Sequence, residues 1–341
     1  MTEISSLGEF GLIDRLTEEL PRANNTTKYA VGDDAAILGY GERDVLVTTD
    51  LLLEGVHFDL TYVPLKHLGY KAAVVNISDI CAMGGMARQI TVSLGISQRF
   101  TVEHIDELYA GIRLACERYG VDIVGGDTTA SRQGLVISIT CIGDVEKDKA
   151  ILRSGAKVND LICVSGNLGA AYMGLQLLER EKAVSKGMKD FQPDFAGKEY
   201  IIERQLKPEP RTDIVSELRE AGIQPTSMMD VSDGLSSELL HICRQSKVGC
   251  RIYEERIPIE YQTAAMAEEL NMNLVTAALN GGEDYELLFT VPLHDKDRVA
   301  ALKDVHVIGY ICDADKGCAM VTRDGESEIM LKAQGFNPLK G

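Results

Sequence analysis

The apolar positions switch between helical and strand periods along the chain. Residues 8–20 place Phe10, Ile13, Leu16 and Leu20 at helical spacing. "DVLVTTD" at 44–50 predicts a strand. Residues 66–84, "KHLGYKAAVVNISDICAMG", are apolar on nearly every side, the pattern of a helix buried all round. "QITVSLGI" reads as a strand, 102–119 as a helix starting at Thr101, and "LVISITCIGDV" as a further strand. Near residue 150 the texture turns polar, in "EKDKAILRSGAKVND", before "LICVSG" opens a new strand at 161. Beyond it the pattern predicts helices at about 168–180, 196–206, 211–221 and 233–246. Strands are expected at 250–254, 285–291, 305–311 and 318–323, and a surface excursion at 181–198. The fold class is α/β, in two domains, 1–150 and 151–341, each long enough for its own core.

Composition narrows the function classes. With 45% hydrophobic and 26% charged residues, the 341-residue chain is an ordinary globular protein. A net charge of −17 argues against nucleic acid or an anionic membrane as partner, because nothing offsets phosphate repulsion. Metal ions between carboxylate and phosphate would remove that objection. Eight cysteines include no C-x-x-C pair, and Cys141 and Cys163 lie inside apolar runs, as small hydrophobes do in a reducing compartment. No basic-then-apolar leader and no membrane-length apolar run occur, so a cytoplasmic enzyme or binding protein is expected.

The candidate chemistry lies in the acids. "VGDDAAIL" supplies Asp33 and Asp34, "VTTDLLLEGVHF" Thr48, Thr49 and Asp50, and "VNISDICAMGG" Asp79 within the apolar helix. "VDIVGGDTTA" supplies Gly126 and Asp127 after a short strand, "MMDVSDGLSSEL" Asp230 and Asp233, and "LNGGEDYELLF" Glu283 and Asp284. Singly, Asp33, Asp34 and Asp284 read as turn residues, and Ser232 or Asp233 as a helix cap. Asp79 resists such a reading, since buried acids need partners and only Lys71 and Arg88 lie near in sequence. Six acidic spots beside apolar runs together suit a shared oxygen-ligand site in which several Mg²⁺ ions bridge phosphates. Neither G-x-x-x-x-G-K-[ST] nor G-x-G-x-x-G occurs. "VSGNLGAAYMG" reads as close backbone packing before an anion contact. Arg153 is either a phosphate-binding fork or a solvated linker charge, and His57 either a substrate contact or a surface histidine.

These segments, with "GEFGLIDRL", "RSGAKVND" and "GGEDYELLF", resemble in order those of the thiamine-monophosphate kinases. That family belongs with aminoimidazole ribonucleotide synthetase, selenophosphate synthetase and a hydrogenase maturation factor. The resemblance implies ATP-dependent phosphorylation of thiamine monophosphate with several Mg²⁺ ions. It implies an aminoimidazole-ribonucleotide-synthetase-like fold: an ATP- and Mg²⁺-binding N-terminal α/β domain whose sheet pairs across a homodimer, and a C-terminal α/β domain completing the site. By motif, Asp34, Thr48, Thr49, Asp50, Asp79, Asp127, Asp230 and Asp233 would hold metal. Gly126, Asp127, Arg153 and Ser232 would contact ATP, and His57, Glu283 and Phe336 the thiamine substrate. Asp50, Asp127, Arg153 and Asp230 would be central to catalysis. The rivals are another superfamily synthetase that forms an acyl- or iminophosphate, and a non-catalytic binder. The tail "GFNPLKG" departs from the family's usual ending.

Overall fold

The computed structural model describes residues 25–186 and 195–334, together with Gly11, Ile13 and Thr17. Those three are helical, as expected for 8–20; the rest of that segment, part of 181–198, and Phe336 lie outside the described residues. The N-terminal half forms a six-stranded sheet of β1 (Thr27–Tyr29), β2 (Ala36–Gly39), β3 (Arg43–Leu53), β4 (Met86–Ile96), β5 (Asp122–Ala130) and β6 (Val136–Glu146). Its order is β1-β2-β3-β6-β4-β5, antiparallel except between β4 and β5. Period-two alternation turns Leu46, Leu52, Ile90, Val92, Ile137 and Ile139 to one buried face. The other face carries Thr49, Leu51, Thr91, Ser138 and Thr140, and every residue of the edge strand β5 is exposed.

Helix α1 (Leu65–Ala82) lies on the buried face, and α2 (Val102–Tyr119) packs against α1. The C-terminal half contributes β8 (Ser227–Asp230) and short helices to the remaining side of α1. Tyr70, Ile77 and Ile80 thereby join Leu46, Ile90 and Ile137 to Ile214, Met228 and Phe289 in one continuous core. The two halves therefore share their largest core, and this is why α1 is apolar nearly all round. A second cluster, including Leu239, Ile242 and Ile252, belongs to the C-terminal half alone.

That half is a seven-stranded sheet, β13-β12-β9-β11-β7-β10-β8, in which only β9 and β12 run parallel. Its remaining strands are β7 (Leu161–Ser165), β9 (Gly249–Tyr253), β10 (Leu287–Val291), β11 (Val305–Cys312), β12 (Cys318–Val321) and β13 (Glu328–Met330). Around it pack α3 (Ala170–Ser185), α4 (Glu199–Leu206), α5 (Thr212–Glu220), α6 (Leu235–Ser246), α7 (Tyr261–Glu269) and α8 (Leu274–Asn280). The expected strands and helices are found within a few residues, while β1, β2, β13, α7 and α8 carry too little periodicity to be read. One expectation is corrected. Asp50 and Asp127 do not end strands: β3 continues to Leu53, and β5 runs through Gly125, Gly126 and Asp127 to Ala130.

Two glycines set the α1–α2 distance. A Cβ on Gly69 would lie 1.9 Å from the Leu108 carbonyl oxygen, and one on Gly111 would lie 1.9 Å from that of Lys66. Alanine gains up to about 1 kcal/mol of helix propensity over glycine, but here it collides with backbone. Overpacking of this kind costs about 1–3 kcal/mol or more. Gly111→Ala is expected to lower the thermal midpoint measured by circular dichroism, despite that propensity gain; an unchanged or raised midpoint would contradict the close crossing.

Candidate active site

Four segments bring acids to one cavity of about 1290 Å³ between the two halves. Because β3 alternates, Thr48 and Asp50 share the face toward α1, and Thr48 Oγ1 donates to Asp79 Oδ2 at 2.6 Å. Thr49 points the other way and donates to the Ile139 carbonyl at 3.1 Å, so its hydroxyl is not set beside that of Thr48. The loop before β2 supplies Asp33 and Asp34, and β8 ends on Asp230, whose Oδ2 accepts from Ser78 of α1. Carboxylate oxygens of Asp34, Asp79 and Asp230 all lie within 4.8 Å of one another.

The charges are poorly balanced. Arg153 forks onto Asp34, with Nη2–Oδ1 at 2.6 Å and Nε–Oδ2 at 3.2 Å, and its backbone N–H donates to Asp33 at 3.0 Å. Among the described residues no other cation is paired with Asp34, Asp50, Asp79 or Asp230. Lys71 pairs with Glu283 at 2.7 Å, and Arg88 with Asp144, so neither serves Asp79, which has no ion pair among the described residues. Burial and then the charges of Asp50, Asp230 and Asp34 hold the Asp79 carboxyl well above the ordinary range. Burial and Asp34 push Asp33 and Asp230 up to about 7, and burial alone pushes Asp50 up to about 6. A site of hard oxygen donors carrying this repulsion fits divalent Mg²⁺.

Two glycine loops shape the C-terminal wall. Neither Ser232 nor Asp233 caps α6; the cap position is Gly234, which makes no side-chain cap bond. Instead Glu238, buried in the first turn, accepts the backbone N–H groups of Ser232 (3.2 Å) and Asp233 (2.7 Å). The carboxylate thus holds open a loop whose side chains line the cavity. Residues 281–286 are stitched to this loop by Glu283 N–H to Ser232 O, Tyr285 N–H to Val231 O, and Val231 N–H to Glu286 O. Glu283 and Tyr285 have φ of 58° and 53°, a left-handed conformation that costs on the order of 1 kcal/mol or more per residue. The consecutive acids then part company. Glu283 faces Lys71 and Gln205, whose Nε2 donates to it at 2.8 Å. Asp284 accepts from the N–H of Gly169 and Ala171, so the helix opened by "SGNLGAA" is capped by the protein's own carboxylate. Glu286 is buried between Arg204 and Arg211.

Of the residues expected to form the site, Asp34, Thr48, Thr49, Asp50, His57, Asp79, Arg153, Asp230, Ser232, Asp233 and Glu283 line this cavity. His57 Nδ1 accepts from the Leu53 N–H at 3.0 Å. Gly126 and Asp127 do not line it; they sit on exposed β5, four strands away from β2. The sequence pattern passes over Ser78, Gln205, Tyr285 and Glu238, and offers Lys71 only as one of two cations near Asp79, whereas Lys71 pairs with Glu283. Only Lys71, a cation inside an apolar helix, carried a visible signal.

Known proteins match this chain along its length. Residues 32–145 match the N-terminal domain model of AIR synthase related proteins, and 157–321 match the C-terminal domain model. A thiamine-monophosphate kinase of Bacillus subtilis is 36% identical over 98% of this chain and all of its own length. That of Aquifex aeolicus is 35% identical over 90% of this chain and 92% of its own. A solved structure described as "AaThiL complexed with AMPPCP and TMP" superposes with a TM-score of 0.84 at 33% identity, covering 99% of both chains. Escherichia coli HypE, a hydrogenase maturation protein, shares the fold at 19% identity and a TM-score of 0.69, covering 86% of this chain and 87% of its own. The chain belongs to the thiamine-monophosphate kinase family.

Proposed function

We propose that the protein transfers the γ-phosphoryl group of ATP to the phosphate of thiamine monophosphate, yielding ADP and thiamine diphosphate. The observation that carries this reading is the group Asp34, Asp79 and Asp230, three carboxylates within 4.8 Å in which Asp79 has no ion pair among the described residues. A related structure whose description names an ATP analogue and TMP supports the same reading. Asp34, Asp50, Asp79 and Asp230 would hold Mg²⁺, with Thr48 and Asp233 at its margin. Bound there, Mg²⁺ supplies charge neutralisation for two phosphate chains that otherwise repel.

The protein's own groups position the reactants. A phosphomonoester is already largely ionised near neutrality, with a second pKa of about 6, so its oxygen attacks the γ-phosphorus without a general base. A new P–O bond forms as the bond to the β,γ-bridging oxygen breaks, and ADP leaves. Arg153 is held in line by Asp34 and faces the cavity with its remaining donors. Ser232 lies in the loop held by Glu238, suited to a nucleotide phosphate. Lys71 and Gln205 fix Glu283, and with His57 it would meet the thiamine rings.

Gly126 and Asp127 take part only in a nucleotide site shared between subunits. A sheet face that no described helix covers and the fully exposed β5 favour a homodimer through this surface. A cytoplasmic setting supplies ATP and keeps the thiols reduced; no described helix is long and apolar enough to cross a membrane.

Four outcomes are expected. The raised carboxyls hold protons that the unfolded chain releases above pH ~4, so their repulsion destabilises progressively and is complete above pH ~7. In EDTA the thermal midpoint should therefore be higher at pH 6 than at pH 8, and Mg²⁺ should restore it at pH 8. Asp79→Asn should flatten that difference while lowering ADP production on the order of a hundredfold or more; near-normal turnover at limiting Mg²⁺ would remove Asp79 from the ligand set. Sedimentation should find a dimer at micromolar concentration, a monomer being incompatible with the shared site. With labelled ATP, thiamine monophosphate should be converted and free thiamine left essentially untouched. Its neutral hydroxyl lies short of the γ-phosphorus by a phosphate, where even ~1 Å costs on the order of a hundredfold; comparable conversion of both would overturn the assignment.

A further inference from the structure

A second group of ligand atoms lies away from the carboxylates. Cys243 in the last turns of α6, Cys250 on β9 and Cys318 at the start of β12 bring their Sγ atoms within 4.8 Å of one another. The sheet explains the pair: β9 and β12 are parallel, and Cys250 and Cys318 are direct cross-strand partners, so both side chains leave the same face. That face is the one α6 covers, and Cys243 closes the triangle from above. Cys312 is excluded by the same alternation. It pairs with Gly249, not Cys250, and its sulfur lies 3.9 Å from Arg251 Nη1.

We propose that Cys243, Cys250 and Cys318 form a three-thiolate site for a soft metal ion of the Zn²⁺ or Cu⁺ class. Thiolates select such ions over Mg²⁺, which keeps this centre chemically separate from the oxygen-lined cavity. With Zn–S bonds of about 2.3 Å, ligand sulfurs around one ion stand roughly 3.8–4.0 Å apart, so the triangle needs a contraction of less than about 1 Å. Cys243 and Cys250 are 2% and 0% exposed, set among Leu239, Ile242, Ile252 and Met320 that hold them in place. Cys318 is only half-buried. It is the door through which an ion enters, and it leaves a fourth coordination position to water or a small thiol. Three thiolates and Zn²⁺ carry one net negative charge, which Arg251, next to Cys250 in sequence, partly offsets at Cys318. Binding releases the thiol protons and creates three metal–sulfur bonds without any change of oxidation state. The ion would staple α6 to β12, near the edge of the C-terminal sheet. Cys243 is eight residues beyond Leu235, about 12 Å along the helix from the loop of Asp230 and Asp233.

The test is a titration of the reduced full-length protein with Cd²⁺, a spectroscopically visible substitute for Zn²⁺, in excess Mg²⁺ so that the carboxylates are already occupied. One equivalent per chain should bind with a thiolate-to-metal ultraviolet band, and the same band should appear when Cd²⁺ displaces Zn²⁺ loaded beforehand. Cys318→Ser should weaken binding by at least about a hundredfold and abolish the band, with far-ultraviolet circular dichroism and Mg²⁺-dependent ADP production unchanged. Cys243→Ala, on the helix, provides an independent variant with the same expected result if the first does not fold. Absence of a thiolate band, its persistence in either folded variant, or a Cys250–Cys318 disulfide in place of metal binding would each overturn the proposal.

Discussion

Everything at the centre of this molecule depends on a charge that the protein itself does not neutralise. Asp79 sits on a helix packed on every side, the two cations near it in sequence, Lys71 and Arg88, are committed to Glu283 and Asp144, and Arg153 is spent on Asp34. Asp34, Asp50 and Asp230 add to the repulsion instead of relieving it. An isolated buried carboxylate is among the more expensive features a core can hold. Asp34 and Asp230 are buried at this cavity and Asp50 and Asp79 half-buried, with Arg153 on Asp34 their one ion pair among the described residues. Mg²⁺ held there, as proposed, would offset that cost.

The scaffold that tolerates this strain is α1. One side rests on the six-stranded sheet, another on α2 at a distance set by Gly69 and Gly111, and a third on β8 and the C-terminal helices. Because these surfaces form one core, Asp79 and Ser78 are held against Asp230, across 152 residues of sequence, without a flexible joint between them. The shared core is thus what makes a site between two domains as rigid as a site within one.

Elsewhere acids do the opposite task. Glu238 and Asp284 spend their oxygens on backbone N–H groups at helix starts, and Glu286 on two arginines. These carboxylates are structural, and they fix the loops that aim Ser232, Asp233 and Glu283 at the cavity. Neighbouring letters in "GGEDYE" thereby hold three separate posts: cavity wall, helix cap and buried ion pair.

Local pattern determined much of this protein. The all-round apolarity of α1 announced a helix enclosed on every side, alternation in β3 and β6 announced half-buried strands, and acids beside apolar runs announced an oxygen-rich site. Those are properties of a few consecutive residues, so a one-dimensional reading captures them. Partner choice is not such a property. That Lys71 serves Glu283, that Glu238 rather than Ser232 or Asp233 satisfies the start of α6, and that Asp127 stays on an exposed strand outside the cavity all depend on which distant segments the fold brings together. The same holds for the three cysteines, unremarkable as small apolar residues in sequence. A parallel pairing of β9 with β12 and the seat of α6 above them make them neighbours, because ångström-scale proximity between residues tens of positions apart exists only once the chain has packed.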